Sequence, residues 1–177
     1  FNNKIKNQLE GFFHNPNKFA LGVCNGCQML SQLKEIIPGT KHWPRFVTNT
    51  SKQFEARLSR VKINKSKSIF LKDMENSVLP IIVSHGEGKV LFANNKDTRT
   101  AIINYVDENN KISMKYPYNP NGSIKGANGF TNDDGRITIL MPHPERLYDI
   151  TQYSYISDAW EMSPWKKFFI NAREWLK

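Results

Sequence analysis

Residues 19–30 read FALGVCNGCQML, and this stretch decides the fold. The apolar run 19–23 predicts a buried strand that stops at Cys24. Apolar residues then recur at helical spacing up to residue 37, where Pro38 and Gly39 supply stop signals. A strand that turns directly into a helix at a cysteine is typical of a nucleophile elbow. The helix N-terminus and the next backbone N–H favour a thiolate and can hold a negative oxygen, so the predicted chemistry is attack on an acyl carbon.

Other interpretations of this cysteine are open from the spacing alone. A free cysteine is often only a small apolar core residue. The Cys24-x-x-Cys27 spacing also matches a dithiol redox site or half of a zinc site. A closed structural zinc site needs four ligands, whereas the chain has two cysteines and four histidines without paired ligand spacing. We therefore expect no metal site, and the redox alternative has to be decided by other residues.

A second motif, Pro142-His143-Pro144-Glu145-Arg146, follows the strand-like run 136–141. His143 then lies just past a strand end, from which it can reach the elbow of another strand. A cysteine nucleophile needs a base, and the base needs an acceptor that orients it, which Glu145 can supply. A histidine in a loop is often only a polar surface residue, but the elbow favours a triad of Cys24, His143 and Glu145.

Together these motifs resemble those of the class I, triad-type glutamine amidotransferases. More narrowly, the chain resembles the C-terminal glutaminase domains of phosphoribosylformylglycinamidine synthases, purine-biosynthesis enzymes also called formylglycinamide ribonucleotide amidotransferases. The resemblance runs from about residue 12 to the C-terminus. The matching segments are residues 22–28, 43–51, 54–57, 84–88, 116–123 and 141–146.

The resemblance implies an α/β fold, a flavodoxin-like three-layer sandwich with a mostly parallel central sheet. Domains of this family begin with a strand, a helix and a Gly-rich segment that supplies one oxyanion-hole N–H, all upstream of the elbow. The chain opens at Phe1 with an amphipathic helix pattern instead. We therefore expect residues 1–177 to form a partial glutaminase domain that hydrolyses glutamine poorly when produced alone.

The resemblance also implies site roles beyond the triad. Asn25 would donate its N–H to the oxyanion, and Gln28 would position the substrate. Ser84 and His85, at the end of another strand-like run, would help to bind glutamine or face a partner, although a structural role for His85 is open. Arg45 and Phe46 are either substrate contacts or part of an aromatic cluster.

In the resembled enzymes, the ammonia passes to a synthetase domain that uses ATP to convert formylglycinamide ribonucleotide to the amidine. We therefore expect no cofactor in this chain, ATP and Mg in the synthetase, and a synthetase partner, either linked or separate. Two other classes stay open: another triad-type cysteine hydrolase of the same fold, and a dithiol redox module.

Composition agrees with one globular domain. The chain has 177 residues, of which 39% are apolar and 12% aromatic, so it can bury a single core. The net charge of +9 comes from scattered lysines without a basic run interleaved with aromatics, so we expect no nucleic-acid partner. No apolar stretch approaches the roughly 20 residues of a membrane span. Free thiols suit a reducing compartment, and the expected location is the cytoplasm.

The remaining sequence predicts strands, a long loop at residues 116–129, and a helix at each end. The loop is rich in Asn, Pro and Gly, and it is either functional or a connector. The predicted strands are residues 53–63, 79–83, 89–92, 100–106 and 111–116. The apolar faces of the terminal helices contain Ile5, Leu9, Phe12 and Phe13 in the first, and Trp165, Phe168, Phe169, Ala172 and Trp175 in the last.

Overall fold

A computed structural model describes residues 3–93, 101–156 and 160–177, and Thr100 of the predicted strand 100–106 lies outside these ranges. The α-helices are α1 Asn3–His14, α2 Asn25–Gln32 and α3 Pro164–Trp175. The strands are β1 Ala20–Val23, β2 Arg45–Val47, β3 Glu55–Ile63, β4 Val78–His85, β5 Lys89–Leu91, β6 Ile103–Tyr105, β7 Ala127–Thr131 and β8 Ile137–Leu140. Short 3₁₀ segments, including Pro144–Leu147, lie between them.

Six strands form one sheet in the order β1-β8-β7-β6-β3-β4, and β2 pairs with β5 in a separate ribbon. The β1–β8 pair, which supports the elbow, is parallel as expected. The other pairs described in this sheet are antiparallel, so the sheet is mixed rather than mostly parallel. A parallel pair needs a crossover of a dozen or more residues, whereas residues 132–136 between β7 and β8 permit only an antiparallel return.

Both faces of the sheet are covered, as in a three-layer α/β sandwich. Along β8, Ile137 and Ile139 pack with α1 and α2 residues such as Phe13 and Leu30. Leu140, the residue after Ile139, points to the opposite face, into the cluster that contains Phe168 of α3. This alternation follows from the two-residue period of a strand. Strand β8 is thus buried on both faces, and its end determines where the chain leaves the sheet.

The sheet curls, so that residues beyond β8 meet the far strand β4. His143, three residues past β8, forms an antiparallel bridge with Ile82 in the middle of β4. The His143 N–H donates to the Ile82 carbonyl oxygen at 2.8 Å. Because β1 lies beside β8, the elbow at the end of β1 is brought close to both segments.

The structure differs from three local predictions. Residues 111–116 are not a strand, since only Ile112 makes an isolated bridge, to Val106. Helix α2 ends at Gln32 rather than near Pro38, and in the turns that follow the Lys34 and Ile37 carbonyls accept from the Thr40 hydroxyl group.

The third difference concerns the predicted strand 53–63, whose large apolar side chains Phe54 and Leu58 lie on the outer face of the sheet. Phe54, just before the strand, is 65% exposed and Leu58 is 58% exposed, while Glu55 and Val61 are buried. Within the described residues, no helix is long and apolar enough to cross a membrane.

Candidate active site

The elbow between β1 and α2 is held in a backbone conformation that few residues other than glycine adopt. Cys24 has φ 53° and ψ −110° and occupies the position just before α2. Its N–H donates to Leu140 O of β8 at 3.0 Å. Strain of this kind persists where the surrounding structure enforces it, and it is concentrated at functional sites.

Gly22 allows the helix to approach the strand closely at this elbow. A Cβ atom at Gly22 would lie 2.7 Å from the Gly26 carbonyl oxygen and 2.8 Å from Leu30 Cδ1. The contact leaves no room for a side chain. The start of α2 is therefore pressed against β1, and the Asn25 N–H, which has no partner within the helix, is available beside the thiol.

His143 and Glu145 form a hydrogen-bonded pair next to the elbow. His143 Nδ1 lies 2.5 Å from Glu145 Oε1. The His143 side chain is 8% exposed, whereas the Glu145 side chain is 44% exposed. His143 Nε2 is buried and has no hydrogen-bond partner among the described residues. One ring nitrogen is thus oriented by a carboxylate, and the other is free for a reacting group.

The charge state of this pair suits a thiolate. The nearby Cys24 sulfur, followed by the hydrogen bond to Glu145, raises the pKa of His143 to about 9, although burial opposes the charged form. Burial opposes a charged Glu145, but the hydrogen bond and charge of His143 outweigh this and lower the Glu145 pKa. The Cys24 thiol itself makes only a long contact, 3.8 Å from Sγ to Ser84 O. At neutral pH, His143 is therefore an imidazolium between a carboxylate and the elbow sulfur.

Residues 84–88, which we call the site turn, form the opposite wall. The Gln28 side-chain amide of α2 donates to Glu87 O at 2.7 Å, which ties the helix to the turn. His85 is 3% exposed, and both of its ring nitrogens lack a hydrogen-bond partner among the described residues. Burial, with a contribution from the charge of His143, lowers the pKa of His85 to about 4. His85 is therefore neutral at pH 7.

The His85 ring lies directly over Gly88. A Cβ atom at Gly88 would come within 2.1 Å of His85 Cε1 and 2.4 Å of Nδ1. The second glycine of the Ser-His-Gly-Glu-Gly sequence, Gly88, thus leaves the space that the His85 ring of the same turn occupies.

The elbow, His143 and the site turn surround an open pocket of about 670 Å³. Six of the residues to which the sequence assigned a site role line it, while Glu145 lies behind His143. The predicted residues that line it are Cys24, Asn25, Gln28, Ser84, His85 and His143. Their individual roles stay predictions.

Sequence reasoning did not assign a site role to several other lining residues: Phe54, Gly86, Glu87 and Arg146. All four lie in segments that carry the family resemblance, which was the available signal. Arg45 and Phe46 do not line the pocket. Phe46 packs near Phe130, with ring centroids 6.3 Å apart, so the aromatic-cluster interpretation fits it.

The position of Cys27 argues against the redox interpretation. Both cysteines are free thiols, and Cys27 is fully buried in the core between α2 and the sheet. Burial, and then the nearby Cys24, raises the Cys27 pKa well above its ordinary value, which disfavours the thiolate needed for exchange. Among the described residues, no cluster of three or more His, Cys, Asp or Glu side chains could hold a metal ion.

Comparison with known proteins agrees with this geometry. Residues 1–176 match the family of CobB/CobQ-like glutamine amidotransferase domains. A structure of PurLQS from Thermotoga maritima is similar with a TM-score of 0.72 and 22% sequence identity, over 98% of this chain and 69% of that one. A structure described as that of a GMP synthase component from Thermoplasma acidophilum has a TM-score of 0.54 and 12% identity, over 98% of this chain and 64% of that one. At these identities the two structures establish the shared fold.

Proposed function

This chain belongs to the family of CobB/CobQ-like glutamine amidotransferase domains, and on that premise we propose that it is the glutaminase part of a phosphoribosylformylglycinamidine synthase. It hydrolyses glutamine to glutamate and ammonia through a thioester on Cys24. The observation that carries this proposal is the His143–Glu145 pair, 2.5 Å apart, beside a cysteine at a strained elbow. The sequence motifs and the fold shared with PurLQS favour this enzyme over other members of the family.

In the proposed reaction, the Cys24 thiolate attacks the side-chain carboxamide carbon of glutamine. The Asn25 N–H at the start of α2 stabilises the oxyanion. The imidazolium of His143 gives its Nε2 proton to the nitrogen of the leaving group, and ammonia departs as the thioester forms. Neutral His143 then takes a proton from a water molecule. The activated water hydrolyses the thioester, which releases glutamate and regenerates Cys24. Glu145 stays anionic throughout and holds the imidazole in place.

The ammonia is consumed elsewhere in the same enzyme. A synthetase domain, linked or separate, uses ATP and Mg to convert formylglycinamide ribonucleotide to formylglycinamidine ribonucleotide, with no cofactor in this chain. The enzyme acts in the cytoplasm, without a nucleic-acid or membrane partner.

The test is a pair of assays on the intact enzyme that carries this chain. Wild-type protein should release ammonia from glutamine. Cys24→Ala should lose glutamine-dependent activity by a factor on the order of 10⁴ or more, while added ammonium salt should still support amidine synthesis. Loss of the ammonium-dependent reaction in this variant would contradict a separable glutaminase, and cleavage of peptides without ammonia release would indicate a different cysteine hydrolase.

Cys27→Ala is the matched control. Because Cys27 lies in the core and not in the pocket, this variant should lose thermal stability and keep glutamine hydrolysis. Loss of hydrolysis in a folded Cys27→Ala protein would show that the nucleophile is misassigned.

A further inference from the structure

Two buried asparagines brace the site turn from the side away from the pocket. Asn49 lies between β2 and β3, and Asn121 lies in the long loop before β7. Asn49 is 1% exposed and Asn121 is fully buried. Neither lines the pocket.

Asn49 bonds to the site turn through its side chain and its backbone. Its Nδ2 donates to His85 O at 2.8 Å, and also to Gln53 O at 3.0 Å. Its Oδ1 accepts from the Gly88 N–H at 2.9 Å, and its own N–H donates to Gly86 O at 2.8 Å. One residue therefore fixes the backbone at three of the five positions of the turn.

Asn121 bonds to the last residue of the site turn, and we call Asn49 and Asn121 together the bracket. Its Nδ2 donates to Gly88 O at 2.8 Å, so both backbone polar groups of Gly88 bond to an asparagine side chain. The carbonyl oxygen of Asn121 accepts from Thr50 N at 3.1 Å, which joins the two braces to each other. The long loop is thus packed behind the site and is not a free connector.

The two unbraced positions of the turn, Ser84 and Glu87, carry the carbonyl oxygens that face the elbow and α2. Ser84 O lies 3.8 Å from Cys24 Sγ, and Glu87 O accepts from Gln28. A shift of the backbone at His85, Gly86 or Gly88 would move these oxygens and the His85 ring together. Because a misplacement of about 1 Å in a site can cost on the order of 10²-fold in rate, the bracket has a functional consequence.

We propose that Asn49 and Asn121 are positioning residues, which hold the site turn in the shape that binds the glutamine side chain against Cys24. This inference rests on the proposed glutaminase function and deepens it. Neither residue contacts the reacting atoms. Their effect on substrate passes through the backbone of residues 84–88.

The experiment compares Asn49→Ala with Asn171→Ala in the intact enzyme. Asn171 is a matched control, since it is 5% exposed and its Nδ2 donates to two backbone carbonyls, Phe70 O at 2.9 Å and Lys72 O at 2.8 Å, away from the pocket. Both variants should lose thermal stability. Asn49→Ala alone should raise the KM for glutamine, by about 10-fold or more, with a smaller change in kcat. Similar KM values in wild type and Asn49→Ala would overturn the proposal.

Asn121→Ala provides the second test, and it decides the matter should Asn49→Ala fail to fold. It removes one bond to the turn, so its KM should rise less than that of Asn49→Ala but above that of Asn171→Ala. An unchanged KM in folded Asn121→Ala would contradict the bracket.

A third measurement separates this inference from the proposed function. The rate at which iodoacetamide alkylates Cys24 needs no glutamine, and it should change in folded Asn49→Ala or Asn121→Ala but not in Asn171→Ala. Wild-type enzyme that releases no ammonia would contradict the glutaminase proposal. Whatever that result, equal alkylation rates in wild type, Asn49→Ala, Asn121→Ala and Asn171→Ala would overturn the positioning role.

Discussion

The elbow and the site turn face each other across one pocket, yet contacts of different range hold them in shape. The elbow depends on neighbours in sequence: Gly22 meets Gly26 and Leu30. The site turn depends on Asn49 and Asn121, which bond to it from 33 to 39 residues away along the chain. The shape of the elbow turn, one half of the site, is therefore set by near neighbours, although its Cys24 N–H also bonds to Leu140 O of β8 and His143 reaches it from beyond that strand. The other half exists only once the β3–β4 region and the long loop have packed.

The largest expected effect lies on the elbow side, at the Glu145 carboxylate. Glu145→Gln can still accept the Nδ1 hydrogen of His143 but lacks the negative charge that helps to raise the His143 pKa to about 9. We expect kcat/KM for glutamine to fall on the order of 10²-fold or more. In the proposed reaction a protonated His143 releases ammonia, so the alkaline limb of the pH profile should also move to lower pH. The measurement is kcat/KM for ammonia release from pH 6 to 10.

Glu75→Gln serves as a control for that prediction, because Glu75 is an exposed carboxylate outside the pocket. It should leave both the rate and the pH profile unchanged. An alkaline limb that stays in place in Glu145→Gln would contradict the role given to this pair.

Two glycine substitutions test the two halves directly, Gly22→Ala at the elbow and Gly88→Ala at the site turn. In Gly22→Ala the new methyl group would meet the backbone of α2, which cannot move freely, so we expect a stability loss of about 1–3 kcal/mol together with lost activity. In Gly88→Ala the methyl group would meet the His85 ring, which can rotate away, so the stability loss should be smaller while activity still falls. Urea denaturation of both variants, with glutaminase assays, measures this difference.

Gly11→Ala is the reference for these two, since a Cβ atom there has no neighbour within 4 Å and Gly11 lies inside α1. It should stabilise the protein by about 0.5–1 kcal/mol. Equal destabilisation by Gly22→Ala and Gly88→Ala would remove the distinction between the two halves.

The last expected effect is a difference in pH dependence between the two histidines. The folded-state pKa of His143 is raised to about 9, so its contribution to stability is full below the unfolded value of about 6.5 and is lost as pH rises to 9. The folded-state pKa of His85 is lowered to about 4, so its contribution is full above about 6.5 and is lost as pH falls to 4. The measurement is the free energy of unfolding against pH for wild type, His85→Gln and His143→Gln.

Each substitution should flatten one side of this stability curve. His143→Gln should reduce the loss between pH 6.5 and 9, and His85→Gln should reduce the loss between pH 6.5 and 4. Curves that keep both limbs in both variants would show that other groups carry the pH dependence.

The difference between the two halves explains how much the sequence could predict. The elbow, the strand before His143 and the terminal helices follow from apolar periodicity and Pro or Gly signals, which act over a few residues. The segment 111–116 has an apolar alternation like that of a strand, but only Ile112 makes a ladder-type bridge there. Asn49 lies in segment 43–51, which carries the family resemblance, but no local pattern indicated its role, because that role arises from bonds to residues 36 and 39 positions away.

The same reasoning applies to the sheet. The parallel β1–β8 pair agrees with the parallel pairing that the resemblance implied, whereas the antiparallel order of the remaining strands depends on pairings between distant segments such as β3 and β6. The resemblance predicted the α/β class, and the mixed sheet became visible only with those pairings.

The most direct test of the account is covalent labelling with an electrophilic analogue of glutamine, mapped by mass spectrometry in the intact enzyme. We predict that Cys24 is labelled in wild type, that free glutamine protects it, and that Asn49→Ala is labelled more slowly than Asn171→Ala at equal analogue concentration. Labelling of Cys27, or labelling of Cys24 that glutamine does not slow, would contradict the claim that the elbow and the site turn form one glutamine-binding active site.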